Sequence, residues 1–389
     1  MKGLISLGVA VAALAAAGCA THTPVLPPLG QASFVDYQRD VREWLQQERR
    51  FQTEAHGDEL GWNAPAEWRP TGTPTQGVLL LHGLGDSPWS FTDLGRTLAA
   101  QGYLVRTALL PGHGTQPKHL LGVDLDDWRR VVREQVALLR KDVDQVVLGG
   151  FSTGANLALE YTLDHSDDVS GLLLFSPAFK VDAPGGWVLP WLARVKPWLR
   201  APDDARVQQT MVRYLNVPTN AFAQFHRSST ALRSKLDGAR IDKPALLVLA
   251  QHDSVVDVAF VRRAFAKHFT HPASRLVWYG DDPRRVTEPR MLVRADRLPE
   301  ERISQFSHMG VLFSPLNPHY GREGKQRYCW NGQDEAGQTS CETGAVVWYS
   351  DWGHAEAGKV HARLTFNPYF DWQSTVMEGV LREIRPASR

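Results

Sequence analysis

Hydrophobic positions along the chain follow two different periods. Between residues 34 and 51, Val41, Trp44 and Leu45 recur at helical spacing among charged neighbours, which predicts an amphipathic helix. The stretch 54–75 is rich in Gly and Pro and reads as loop. From Gly77 onward the pattern changes. Short continuous apolar runs at 77–81, 103–110, 145–148, 172–175, 245–249 and 275–279 predict strands buried on both faces. Segments 91–101, 128–141, 155–163 and 256–269 read as the helices between them, with Val131, Val132, Val136 and Leu139 on one side of the second. Such alternation predicts an α/β fold with a mostly parallel central sheet flanked by helices.

One long stretch breaks the alternation. Residues 179–241 carry Trp187, Pro190, Trp191, Pro197 and Trp198, then a helical pattern near 207–215. This reads as a helical cap insertion, 179–242, dividing the core into a first part at 34–178 and a second at 243–389. Residues 284–301 read as a second, smaller insertion, and 317–349 as a loop extra to the core. The cap's Trp187, Val188, Leu189, Trp191, Leu192 and Trp198 have two readings. They form a small core of the cap itself, or with Trp89 and Phe91 they line an apolar acyl-binding pocket.

Composition and the N-terminus narrow the setting. With 43 basic and 42 acidic residues, nothing in the charge favours nucleic acid or a polybasic hold on anionic membranes. Lys2 precedes an apolar, Ala-rich stretch at 4–17 that is short for a bilayer span. It ends in Leu14-Ala15-Ala16-Ala17-Gly18-Cys19, which resembles the lipobox of bacterial lipoproteins. The resemblance implies a signal peptide at 1–18, a lipid on Cys19, and a Pro-rich tether at 19–33. Ala20, in place of an Asp, points to the outer membrane of a bacterial envelope. Cys329 and Cys341 are the other two cysteines, and in an oxidising compartment they read as one disulfide. Neither CxxC nor HExxH occurs, so no familiar spacing points to a metal, and no cofactor is expected.

Candidate chemistry starts at Gly150-Phe151-Ser152-Thr153-Gly154, which fits G-x-S-x-G. An apolar run, Val146-Val147-Leu148, precedes it and a helical pattern from Ala155 follows. A strand-to-helix turn this tight exposes Ser152 as a strained nucleophile. His82-Gly83-Leu84-Gly85 follows the first buried strand. Its turn is placed to aim the Leu84 N–H, with that of Thr153, at a developing oxyanion. His82 reads as a residue that orders the turn. An acid and then a His should follow in chain order. Asp253, just past the run 246–249, is the favoured acid, with Asp257 as rival in the first turn of a helix. For the base, His308 ends an alternating, strand-like run at 303–307. His354 competes, and His271 and His319 are weaker rivals.

Taken together these residues resemble the α/β-hydrolase superfamily, nearest its carboxylesterase and monoacylglycerol-lipase-like branch. The carriers are His82 to Gly85, Leu110-Pro111-Gly112-His113-Gly114-Thr115, Gly150 to Gly154, Asp253 and His308. The resemblance covers about residues 76–315. It implies an eight-stranded type of sheet, no cofactor, and acyl transfer through a covalent acyl-enzyme; a membrane tether together with an apolar pocket points to acyl esters, monoacylglycerols or lysolipids as substrates. Ser152 is then the nucleophile, His308 the base, Asp253 the orienting acid, and Leu84 and Thr153 the oxyanion donors. His113 is structural. One departure is that 281–302 separate the run 275–279 from His308, where the family's base follows its last strand closely. Other readings are the same scaffold acting on a thioester, peptide or lactone, or a non-catalytic envelope lipoprotein that binds a partner.

Overall fold

The computed structural model describes residues 23–181, 185–203, 206–281 and 288–384. The expected signal segment and Cys19 lie outside the described residues. Among the described residues, no helix is long and apolar enough to cross a membrane.

Eight strands form one sheet: β1 (Glu67–Trp68), β2 (Gln76–Leu81), β3 (Leu104–Ala108), β4 (Gln145–Phe151), β5 (Gly171–Phe175), β6 (Ala245–Ala250), β7 (Arg275–Tyr279) and β8 (Met291–Arg294). Their order is β1-β3-β2-β4-β5-β6-β7-β8. β1 pairs antiparallel with β3, and every other pairing is parallel. Every residue of β3, β4, β5 and β6 is buried, as expected for strands covered on both faces. Alternation then divides the core in two. Leu79, Leu81 and Leu148 face one helical layer, while Val78, Leu80 and Val147 face the other.

The N-terminal helix, Phe34–Glu48, is capped by Ser33 and buries Phe34, Tyr37, Val41 and Leu45 on one stripe. The region after it is not the plain loop its Gly and Pro content predicts. It holds a helix, His56–Asn63, and β1. Buried Glu59 fixes that helix by pairing with Arg49 at 2.8 Å, so tertiary contact overrides local propensity.

Three further expectations change. The predicted helix at 207–215 is absent; an isolated bridge joins Gln209 to Tyr214, and the cap's helices are Leu189–Val195 and Thr219–Leu236. The supposed small insertion at 284–301 contributes β8, so the last core strand ends close before His308. The run 303–307 is not a strand, although Ile303 makes isolated bridges to Leu298 and Tyr349. Beyond it, β9 (Val347–Ser350) and β10 (Val360–Arg363) pair in parallel as a separate small sheet. Cys329 and Cys341 form a disulfide beside it, as their place in the sequence predicts.

Candidate active site

Ser152 lies between β4 and the helix Thr153–Asp164 with φ of 55° and ψ of −112°. A non-Gly residue held there is strained, which marks a turn tightened for a purpose. The flanking glycines show what the tightness requires. A Cβ on Gly154 would lie 1.9 Å from the Leu81 carbonyl oxygen, and one on Gly150 would lie 2.3 Å from the Gly154 carbonyl carbon. The helix start is thus pressed against the ends of β2 and β4, and the turn has nowhere to relax. Ser152 itself is nearly buried, with its N–H bonded to the Phe175 carbonyl at 3.0 Å.

Asp253 and His308 come together at the ends of their strands. His308 Nδ1 lies 2.6 Å from Asp253 Oδ2, and both side chains are buried. The other Asp253 oxygen accepts the N–H groups of Val255 and Val256. With Nδ1 committed, the imidazole offers Nε2 for proton transfer. The His308 ring also packs on Phe151, with centroids 4.9 Å apart, which places it beside the Ser152 turn. Asp257 instead caps the helix Val258–His268 and pairs with Lys180. His271 and His319 lie elsewhere: His271 caps a turn near β7, and His319 meets Trp89 edge-on and Tyr320 at a tilt.

Leu84 and Thr153 belong to two segments in close contact. Thr153 opens its helix, where first-turn N–H groups have no partner within the helix. A Cβ on Gly83 would lie 2.9 Å from the Phe151 ring, so the turn carrying Leu84 is seated against the residue before Ser152. Two buried histidines hold that turn. His82 Nε2 accepts the Leu110 N–H at 3.1 Å, and His113 Nε2 accepts the Gly85 N–H at 3.0 Å. Burial holds His82 down to about 4 and, with the neighbouring His82 adding to it, His113 down to about 3. Both are therefore neutral clamps between the loops at 82–85 and 110–114, and both acceptor roles require that neutrality.

Several contributors carry no sequence signature. Ser176, with φ of 40°, donates its hydroxyl to the His308 carbonyl at 2.8 Å and so fixes the backbone at His308. Fully buried Asp351 accepts the Ser254 N–H at 2.5 Å, one residue from Asp253, and burial, reinforced by the Asp253 charge, raises its carboxyl. The Tyr214 N–H bonds the Gly85 carbonyl at 2.6 Å, tying the cap's base to the Leu84 turn. Arg213 beside it reaches Met309 Sδ at 3.3 Å. Only tertiary contact reveals these, because a lone Ser, Asp or Arg in a loop has no local pattern.

The apolar cap residues are not a core. Trp187 and Trp191 are 71% and 67% exposed, and Val195 is 80% exposed. Phe91 is fully buried in the core, while Trp89 packs on Phe313 and Tyr320.

The profile of the family described as serine aminopeptidase S33 matches residues 72–281, more than half of the chain. A thermostable monoacylglycerol lipase from a Bacillus species is 31% identical over 186 residues, 46% of this chain and 71% of that protein. The human monoglyceride lipase is 29% identical over 28% of this chain and 37% of its own length. A solved structure of a soluble variant of the Saccharomyces cerevisiae monoglyceride lipase aligns with a TM-score of 0.45 at 19% identity, covering 56% of this chain and 81% of that one. By the extent of the profile match and of the Bacillus alignment, the chain belongs to the serine aminopeptidase S33 family and is a serine hydrolase of the α/β-hydrolase fold.

Proposed function

We propose that the protein hydrolyses carboxylic esters of acyl chains, monoacylglycerols foremost, through an acyl-enzyme on Ser152. The observation that carries this reading is the strained turn at Ser152 set beside a buried Asp253–His308 pair. His308 Nε2 takes the hydroxyl proton as Ser152 Oγ attacks the ester carbonyl. The Leu84 and Thr153 N–H groups receive the oxyanion, each such donor being worth roughly 2.7–4 kcal/mol. His308 then protonates the departing alcohol. Water, deprotonated by the same imidazole, attacks the acyl-enzyme and releases the acid.

Two observations support an acylglycerol substrate. The Bacillus relative, matched over most of its length, is a monoacylglycerol lipase. The cap presents Trp187, Trp191 and Val195 to solvent as an apolar face suited to a lipid surface. With the lipobox-like segment ending at Cys19, this supports an enzyme tethered to the bacterial outer membrane and fed from lipid. Release of glycerol from monoacylglycerols, octanoyl to stearoyl, by the purified protein is the test. Hydrolysis of these esters well above that of matched thioesters, lactones and amino-acid anilides supports the reading, and the reverse preference overturns it. Mass spectrometry of the mature N-terminus tests the anchor, which an unmodified Cys19 would contradict.

A further inference from the structure

The small sheet beyond the core carries a cluster that the ester chemistry does not use. His354, Glu356 and His361 each offer a ligand atom, all within 4.8 Å of one another. His354 Nε2 and Glu356 Oε1 are 3.4 Å apart. That is close to the edge of a zinc-sized tetrahedron, about 3.3 Å for bonds near 2.0 Å.

His361 supplies the independent observation. Its side chain is 1% exposed, and its Nε2 is buried with no hydrogen-bond partner. The tautomer follows from its surroundings. Ser350 Oγ donates to the Asp351 carbonyl at 3.1 Å and accepts from Asn331 Nδ2 at 3.0 Å. It therefore meets His361 Nδ1, 3.2 Å away, as an acceptor. Nδ1 carries the proton, and Nε2 is left with a bare lone pair in the interior. A buried polar atom without a partner is costly, and a metal ion is one of the few things that satisfies a lone pair of this kind. An imidazole fixed through its far nitrogen is also how metal-binding histidines are held. The strand is braced too: Gln333 bonds both the His361 N–H, at 3.0 Å, and its carbonyl, at 2.6 Å.

We propose that His354, Glu356 and His361 form a site for a divalent transition metal ion of the zinc type, with water completing the coordination. Imidazole and carboxylate together suit zinc rather than magnesium or calcium. Glu356 presents its carboxylate between two cations, pairing with Lys359 and Arg297. Those cations are also the competitors. Their side chains are 23% and 57% exposed, so both reach solvent when a metal takes the carboxylate. The site lies one hydrogen bond from Ser350, whose neighbour Asp351 holds the Ser254 N–H beside Asp253. The familiar zinc spacings miss it because its ligands come from a loop and a strand as His-x-Glu-x4-His.

The test is zinc uptake by the untagged, oxidised protein, stripped with EDTA and titrated in equilibrium dialysis with metal analysis. About one zinc per chain is expected, with a rise in melting temperature on loading. His354→Gln, at a half-buried position, should keep the near-UV spectrum of the native fold and weaken binding about 100-fold or more. Ser350→Ala, which frees Nδ1, should weaken it roughly 10- to 100-fold. Lys359→Met should tighten it. Ser152→Ala should bind as the parent does, so the result stands apart from the ester chemistry. Absence of saturable uptake, or equal uptake by a folded His354→Gln variant, overturns the proposal.

Discussion

The Leu81 carbonyl oxygen sits where a Cβ on Gly154 would lie, 1.9 Å away, so the strand end of β2 and the helix after Ser152 touch backbone to backbone. No side-chain rotation relieves such a contact. Gly154→Ala should therefore push the turn outward. Displacements near 1 Å at a reacting centre cost about 100-fold in rate. The expected result is a loss of kcat of at least ~100-fold, with overpacking lowering stability by roughly 1–3 kcal/mol. Steady-state kinetics and urea unfolding of the variant check both.

Asp253 orients His308 through a 2.6 Å contact, and among the described residues no other acid bonds that imidazole. Asp253→Asn keeps the shape and inverts the hydrogen-bonding preference, which favours the wrong tautomer. A drop in kcat of about 10⁴-fold is expected, by analogy with the corresponding change in a Ser-His-Asp protease. KM should move little. A variant within tenfold of the parent would return the orienting role to another acid, with Asp351 the nearest to consider.

The Arg49–Glu59 pair is closed to solvent, with side chains 1% and 0% exposed. Arg49 also donates to the carbonyls of Gly114 and Met211, so it links the N-terminal helices to the His113 loop and the cap. Removing one partner of a buried pair leaves the other charge uncompensated, at a cost of about 3–5 kcal/mol. Glu59→Gln should show that loss in urea unfolding. Arg49→Met combined with Glu59→Met should recover part of it.

The two loop histidines predict an acid sensitivity. An unfolded imidazole titrates near 6.5, whereas His82 is held down to about 4 and His113 to about 3. Between about 6.5 and 4 the unfolded chain therefore binds the extra protons, and stability falls as pH falls. Each histidine contributes at most ~1.4 kcal/mol per pH unit in that window and nothing above it. Urea midpoints measured from pH 7 to 4.5 should show the slope, and His82→Gln should make it shallower.

Much of this fold was legible in the sequence because parallel strands buried on both faces are nearly continuous apolar runs. The run 275–279 matches β7 residue for residue. The G-x-S-x-G turn was legible for a related reason, since close backbone approach admits only glycine at Gly150 and Gly154. What escaped was set by distant partners. β8 has only half-buried or exposed residues, so its edge position gives no apolar signal. The helix at Glu59 depends on Arg49, and Ser176 and Asp351 act through backbone groups far away in sequence. The cap's tryptophans looked like interior residues, but Trp187 and Trp191 face outward.

The most direct measurement is intact-mass analysis after treatment with a fluorophosphonate, paired with p-nitrophenyl ester hydrolysis, for the parent and Ser152→Ala. One adduct per chain, located on Ser152, is expected, with ester turnover that disappears together with that adduct in the variant. Equal turnover by the two proteins, or an adduct that persists when Ser152 is replaced, would contradict the assignment of Ser152 as the nucleophile.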